Sequence, residues 1–586
     1  MVTKRGIQHI PAIDGLRAVA VIAVILYHLG VSWIPGGFLG VDLFFVISGY
    51  VITRLLLDSI QRSGGLDLRD FYRARARRLL PPLLFMASLT LLYISIFAQD
   101  TVKRFLTDLP FSISGAMNWW LVFREQDYFE TIGRPPLLQH TWSLAVEAQF
   151  YLIWPLILLV VLKYFGKKRI PGAALGIAAV SGLVLMAVSF ELDASSGSAV
   201  SHIYFGTDTH SIGLFLGSAL AVSWVPQNFE VIVSKKAQDF IDGIGVFGFI
   251  GILATFLFID ESDPTLYRIA FPLAGLFGTA IIISIVHPAS RFAPLLSNRV
   301  LLWIGERSYA IYLWHWVVFQ LTRPTVDLEG QSWALFLLRI LLVAALADIS
   351  LRWIELPIRS GAVRYWFKGM KYRTKKVRNK QLGIIGIVIL LFVSTSSFLS
   401  LNAIRSTNTK ELALKESLTS VQVKPLVPDN PAAEQTRLWV TGDSVILGIR
   451  QGLGELFPIV LINARVGRQA PELLEEITKD ILLVGDAPIV FNLGNNGILK
   501  REDVFAIFEV IKNQRLIIVV NTAVPRPWRE ANNQLLAEIA SNYQRVNIVD
   551  WANISKDHPE YFAPDGVHLV PTGATAYVQA ITQFLR

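Results

Sequence analysis

Apolar runs of near-spanning length recur from residue 15 to about residue 402, and they decide what this chain can become. A helix needs about 20 apolar residues to cross the roughly 30 Å hydrocarbon core of a bilayer. Eleven spans are expected, at 16–32, 38–57, 80–98, 141–163, 172–190, 209–225, 241–259, 267–287, 300–320, 333–352 and 382–402. Only 17% of the 586 residues are charged, less than in ordinary soluble domains, as a polytopic membrane protein requires. From about residue 403 short apolar strands alternate with charged helical stretches, in a segment long enough to bury its own core.

Charge orients the spans. Residues 403–586 hold 18 Lys/Arg and 20 Asp/Glu, a net of −2, so the rest of this +9 chain carries +11. Basic clusters follow the second span (Arg62, Arg69, Arg73, Arg75, Arg77, Arg78), the fourth (Lys167, Lys168, Arg169), the sixth (Lys235, Lys236) and the tenth (359–380). All follow even-numbered spans, so the positive-inside rule puts the N-terminus in the cytoplasm and the C-terminal segment outside. The basic excess then belongs to cytoplasmic loops, and no nucleic-acid partner is expected. Residues 105–123 would reverse every later loop if they crossed, so an interfacial or re-entrant helix is expected there, with Trp119 and Trp120 near headgroups. The first apolar run lacks a small-residue cleavage site and contains Arg17 and His28, which reads as a retained helix rather than a signal peptide. Without cysteine there are no disulfides, cysteine nucleophiles or thiolate metal sites, and no metal site is expected.

Ionisable residues inside spans are rare and often functional. Arg17 and His28 are eleven residues apart, within about 20° of one helix face and about 16 Å apart along it. Glu147 lies in "HTWSLAVEAQFYLIWP", with His140 and Ser143 about 20° and 40° from its face. A carboxylate there costs about 2.5–3.5 kcal/mol to insert, so it should face a polar interior. Asp42, Ser48, Asp208, His210 and His315 extend the set, and together these residues suggest a polar cavity through the bundle. The basic run "FYRARARRLLPP" supplies Arg73, Arg75, Arg77 and Arg78, either as topology and headgroup contacts or as an anion site for the phosphates of a cytoplasmic donor.

Arg17 and His28 with "DLFFVISGY", "FYRARARRLLP", "HTWSLAVEAQFYLIWP", "GTDTHSIGLFLG" and "SYAIYLWHW" resemble the acyltransferase family 3 membrane proteins over about residues 8–360. The resemblance implies acyl transfer from cytoplasmic acyl-CoA, usually acetyl-CoA, to an extracytoplasmic glycan. It implies roles for Arg17, His28, the arginine run and Glu147. Ala148 stands where the family often has a second acid, and His210 where it often has arginine.

The C-terminal segment reads as strands at 437–441, 458–462, 487–493, 515–521 and 545–549, with helices at about 445–456, 471–482, 500–513, 530–542 and 571–585. That order predicts a parallel sheet covered on both faces, with its site in the loops after the strands. In "LWVTGDSVILGI" Ser444 follows the first strand and opens a helix, whose N-terminus favours an anion. Gly467 follows the second strand and Asn496 the third, while Asp565 and His568 precede the last helix. A nucleophilic serine needs a base and the base an orienting acid, which His568 and Asp565 can supply. The N–H groups of Ser444 and Gly467 with the Asn496 amide could hold an oxyanion. The set is similar to the SGNH hydrolase superfamily. Arg468, Gln469, Arg526 and an exposed Trp528, beside Arg529, offer glycan contacts or a plain surface loop. These stretches resemble the outer domain of fused peptidoglycan O-acetyltransferases.

The expectation is a polytopic α-helical membrane domain of about 11 helices plus an extracytoplasmic three-layer α/β, flavodoxin-like SGNH domain. Its parts are a membrane domain at 8–360, a basic loop at 361–381, an eleventh helix at 382–402, a linker at 403–435 and the SGNH-like domain at 436–586. The resemblance implies a bacterial plasma-membrane O-acetyltransferase with acetyl-CoA as donor and no tightly bound cofactor. A cell-surface glycan is the acceptor, peptidoglycan being favoured at the 6-OH of N-acetylmuramic acid. Lipopolysaccharide O-antigen or exopolysaccharide are alternative acceptors, and a transporter or sensor with a glycan-binding domain is the alternative class. Oligomeric state is left open.

Overall fold

The computed structural model describes residues 9–124, 135–191, 197–259, 269–323, 328, 333–419, 437–464, 468, 470–525, 528–562 and 566–585. The chain divides into two compact units, a helical one ending at Ser406 and an α/β one holding Thr407–Arg586.

The helical unit begins with α1 (Pro11–His28), α2 (Gly40–Ser63) and α3 (Leu68–Phe97). Next come α4 (Val102–Ser114), α5 (Met117–Phe123), α6 (Trp142–Tyr164), α7 (Ile170–Glu191) and α8 (Gly197–Phe205). Then follow α9 (Ile212–Ser223), α10 (Lys235–Phe258), α11 (Phe271–Val286), α12 (Ala293–Leu296), α13 (Arg299–Leu321) and α14 (Trp333–Ile349). A π-helical turn, Ser350–Glu355, joins α14 to α15 (Leu356–Arg359), and α16 (Ala362–Gly369) leads to α17 (Lys375–Thr419).

Each of the eleven expected spans falls on a helix. Among the described residues, seven stretches have the length and apolarity to cross a bilayer, which makes this a multi-pass membrane protein. The sixth, eighth, ninth and eleventh expected spans are not among the seven. The helices α9 and α11 have only 12 and 16 residues, and α13 carries Arg299, Glu306 and Arg307 near its start. The stretch at 105–123 is two short helices, α4 and α5, broken at Gly115.

Two expected boundaries shift. The helix α17 is 45 residues long, so it takes in the end of the expected basic loop and runs past the expected linker start at 403. The basic run 71–78 is helical too, because Asp67 caps α3 by accepting the Asp70 N–H at 3.0 Å. Packing between helices uses small residues. A Cβ on Gly49 of α2 would collide with the Leu214 carbonyl of α9, and one on Gly217 of α9 with the Val46 carbonyl of α2. The two backbones therefore meet where glycine permits it.

The α/β unit contains β1 (Leu438–Gly442), β2 (Ile459–Ala464), β3 (Ile489–Asn492), β4 (Ile517–Val520) and β5 (Val546–Val549). Its helices are α18 (Ser444–Leu456), α19 (Ala470–Val484), α20 (Arg501–Ile511), α21 (Arg529–Ala540), α22 (Trp551–Ile554) and α23 (Pro571–Thr582). The sheet is parallel, in the order β2-β1-β3-β4-β5, with Val440 opposite Ile462 and Val490, and Val490 opposite Ile518. Side chains alternate between its faces. Trp439, Ile489, Phe491, Ile517 and Val519 join the core under α19, α20 and α21. Leu438, Val440, Val490, Ile518 and Val520 join the core under α18 and α23. Strand order reverses between β1 and β3, the flavodoxin-like switch point where such sheets place their ligands.

Candidate active sites

Ser444 lies at that switch point. Gly442 ends β1 with φ 151°, and a Cβ there would press on Ile446 and the Asn492 carbonyl. The chain turns, and Asp443 caps α18 by accepting the Val445 N–H at 2.9 Å. Ser444 is thus the first residue of the helix, with its own N–H at the positive end of the dipole. Its side chain is buried, and its Oγ has no hydrogen-bond partner among the described residues. Buried hydroxyls are ordinarily paired, and this one is an exception.

Asp443 organises the surroundings. Its Oδ2 accepts Nδ2–H of Asn495 at 2.8 Å and of Asn496 at 3.1 Å. Asn495 is bound to Asn492, and Thr522 donates to Asn495 Oδ1 at 2.5 Å. Burial pushes the Asp443 carboxyl up to about 6, opposed by the Val445 and Asn495 hydrogen bonds and the charges of His568 and Arg468. His568 is half-buried in the loop before α23, and its charge opposes the rise of the Asp443 pKa. Gly467, Asp565, Gln469 and Arg526 lie outside the described residues. The Asn496 amide donates to Asp443 Oδ2 and, at 3.3 Å, to the Arg468 carbonyl.

One expected glycan contact, Arg468, is corrected, and Trp528 is less exposed than expected. Arg468 is buried, and its guanidinium donates to the Asn463 carbonyl at 2.6 Å and to Asn463 Oδ1 at 2.7 Å. It fastens the loop after β2 to the strand end, because a buried guanidinium must satisfy its donors inside. Trp528 is half-buried rather than exposed, since its indole N–H donates to the Gly494 carbonyl at 3.2 Å. The sequence reading missed Asp443, Asn495 and Thr522. Their signal was polar residues ending neighbouring strands, and an aspartate in helix-capping position.

In the helical unit, Arg17, Ser48, Arg75, Arg78, Glu147 and Tyr151 line a cavity of about 70 Å³, room for a few waters or an acetyl-sized group. Glu147 accepts from Ser48 and, at 3.1 Å, from the Tyr151 hydroxyl. Arg17 is held by Asp14 at 2.7 Å. The arginine run splits by helical phase. Arg75 and Arg78 face the cavity, while Arg73 and Arg77 are exposed on another face.

His28 does not line this cavity. Its Nδ1 lies 3.0 Å from His315 Nε2. His140 is in a 3-10 turn before α6 rather than in the helix, and its Nε2 donates to the Leu313 carbonyl at 3.1 Å. Ser143 pairs with the Tyr312 hydroxyl at 2.7 Å. Asp42 pairs with His210 at 3.0 Å, and Asp208 with His202 at 3.0 Å. The residues expected to line a polar cavity are therefore largely resolved into pairs, because each buried polar group takes its nearest partner to offset desolvation. Among the described residues, no cluster of three His, Asp or Glu side chains is placed to hold a metal ion.

The architecture defines a multi-pass membrane protein with buried Arg, His and Glu in its helical unit and a buried serine at the switch point of an α/β unit. Residues 10–352 match the family model described as an acyltransferase domain, and the chain belongs to that family. The peptidoglycan O-acetyltransferase OatA of Listeria monocytogenes is 34% identical over 629 residues, covering 100% of this chain and 99% of the relative. An O-acetyltransferase OatA of Staphylococcus aureus is also 34% identical, covering 98% of this chain and 96% of the relative. Among solved structures, the C-terminal catalytic domain of Streptococcus pneumoniae peptidoglycan O-acetyltransferase A covers 26% of this chain and 93% of its own. It is 22% identical with a TM-score of 0.24, a likeness too weak to build on.

Proposed function

We propose that this protein is a transmembrane O-acetyltransferase that moves acetyl groups from cytoplasmic acetyl-CoA to hydroxyls of cell-wall peptidoglycan. The observation that carries this reading is similarity along the whole chain to a protein named peptidoglycan O-acetyltransferase, with both units included. The basic loops support a cytoplasmic N-terminus and an extracytoplasmic α/β unit.

In this reading the helical unit receives the acetyl group near Arg17, His28 and Glu147, and Arg75 and Arg78 attract the donor's phosphates. The acetyl group is passed to Ser444. Its Oγ attacks the acetyl carbonyl while His568 takes the proton and Asp565 orients the imidazole. The Ser444 N–H, the Gly467 N–H and the Asn496 amide stabilise the oxyanion. His568 returns the proton to the leaving group, and an acyl-serine remains. A glycan hydroxyl, the 6-OH of N-acetylmuramic acid, then attacks and loses its proton to His568; the bond between the acetyl carbon and Ser444 Oγ breaks, His568 returns the proton to Oγ, and the glycan leaves as the acetyl ester. The reading requires Asn496 to turn from Asp443 toward the oxyanion.

Mass analysis of wall fragments from wild-type and Ser444→Ala cells tests it. Acetylated muramic acid should be present in the first and lost in the second. Unchanged wall acetylation would overturn the proposal.

A further inference from the structure

A cleft of about 620 Å³ opens between the start of α1, the second half of α2, the turn after α9 and the segment joining α11 to α12. The loop charges support a cytoplasmic location for this end of the helices, since the turn after α9 leads to Lys235 and Lys236. Much of the wall is apolar, with Ile13, Leu55 and Val286 among its residues. Arg17 and Val51 line both this cleft and the 70 Å³ cavity that holds Glu147, so the two spaces adjoin across those side chains.

The charges of the cleft do not balance. Asp14 is the one acid among the described residues that line it, and it is already committed. It accepts from Arg17 at 2.7 Å and lies 2.6 Å from His9 Nε2. Arg54 is buried, and its hydrogen bond among the described residues goes to a neutral group, from Nη2 to Gln227 Oε1 at 3.0 Å. Asp58, one turn further along α2, pairs with Arg62 instead. A guanidinium carries five N–H donors, and a buried cation is costly without an anion.

We propose that this cleft holds the phosphate-bearing end of the acyl-CoA donor, with Arg54 as the cation that pairs with a phosphate group. The inference rests on the acetyltransferase reading above. A cavity of 70 Å³ has room for the acetyl group and none for a nucleotide. The rest of the donor must lie in an adjoining space, and 620 Å³ is within the range of small-molecule sites. The guanidinium fork matches phosphate oxygens. On α2, Arg54 lies six residues beyond Ser48, which bonds Glu147, and so about 9 Å nearer the end of the helix that carries the basic loop. That order is the order of the donor, with the acyl group inward and the charged end at the mouth. Arg75 and Arg78 add attraction from beside the small cavity. A phospholipid headgroup offers the same phosphate chemistry, and the test separates the two sources.

The test uses the full-length protein in lipid nanodiscs, as wild type, Arg54→Gln and Arg54→Lys, with melting temperatures to confirm folding. The donors are acetyl-CoA and S-acetylpantetheine, which carries the same thioester and no phosphate. Arg54→Gln should lower kcat/KM for acetyl-CoA about 10- to 100-fold and leave that for S-acetylpantetheine within about threefold. Arg54→Lys keeps the charge without the fork, and should lower it about three- to tenfold with acetyl-CoA alone. Folded variants that lose activity equally with both donors would show a structural role and overturn the inference. So would variants that keep acetyl-CoA kcat/KM within twofold. A loss confined to discs containing phosphatidylglycerol, and equal for both donors, would assign Arg54 to a lipid headgroup and overturn it as well. A wild type that transfers acetyl from neither donor would sink the functional reading. Titration with CoA then decides the cleft separately. Wild type should bind at least about tenfold tighter than Arg54→Gln, and equal binding would overturn the inference.

Discussion

Asp443 Oδ2 accepts the side-chain amide of Asn496 at 3.1 Å, so the acid beside the candidate nucleophile holds the candidate oxyanion donor. The same oxygen holds Asn495 at 2.8 Å, and the other caps α18. One buried carboxylate thus ties the loop after β1 to the loop after β3, across the switch point.

That carboxylate should give the α/β unit a pH-dependent stability. Its pKa rises from the ordinary 3.8 to about 6 on burial, so the folded state binds this proton more tightly than the unfolded state. The group's stabilising contribution is full below about pH 3.8 and is lost as pH rises through about 6, up to roughly 3 kcal/mol at about 1.4 kcal/mol per unit. Asp443→Asn cannot titrate. Urea unfolding of both proteins from pH 4 to 7 should show a stability difference that changes by that amount. A constant difference would contradict the account.

Removing the Ser444 hydroxyl should cost activity and almost no stability. Its Oγ has no described partner, so Ser444→Ala breaks no hydrogen bond and relieves a buried polar atom. Acetyl transfer should fall at least about 10³-fold, while the melting temperature stays level or rises slightly. A marked drop in melting temperature would show that the hydroxyl has a structural role.

Arg468 should behave as a structural residue. Arg468→Ala leaves the Asn463 carbonyl and side chain without these donors, at a cost of about 1–3 kcal/mol. Thermal unfolding should register that loss. A variant with unchanged stability and a raised glycan KM would restore Arg468 as a ligand contact.

The seam between α2 and α9 should be intolerant of bulk. Gly217→Leu forces a side chain onto the Val46 carbonyl and should destabilise the protein by about 1–3 kcal/mol or more. Gly176→Ala in α7, where a Cβ meets nothing within 4 Å, should be neutral or stabilising by up to about 1 kcal/mol. Melting curves of the detergent-solubilised protein separate the two. Equal melting temperatures would refute the close approach.

Much of this architecture is local and was therefore legible from the chain. Apolar runs set the helices, because a bilayer rewards the length and composition of each run separately. Short apolar strands between helical stretches set a parallel sheet, and the order of elements placed Ser444 and Asn496 after strands and His568 before the last helix. Tertiary structure decided the partners. Asp443 finds Asn495 across 52 residues, and His28 finds His315 across 287. Arg17 and His28 share a helix face by periodicity, yet the first lines the Glu147 cavity and the second turns to α13. Arg468 looked like a surface ligand contact in sequence, but the fold turned it inward to Asn463. Periodicity assigns a side chain to a face of its own element. What that face meets depends on how elements pack, and buried polar groups settle on whichever partner the packing brings within hydrogen-bonding distance.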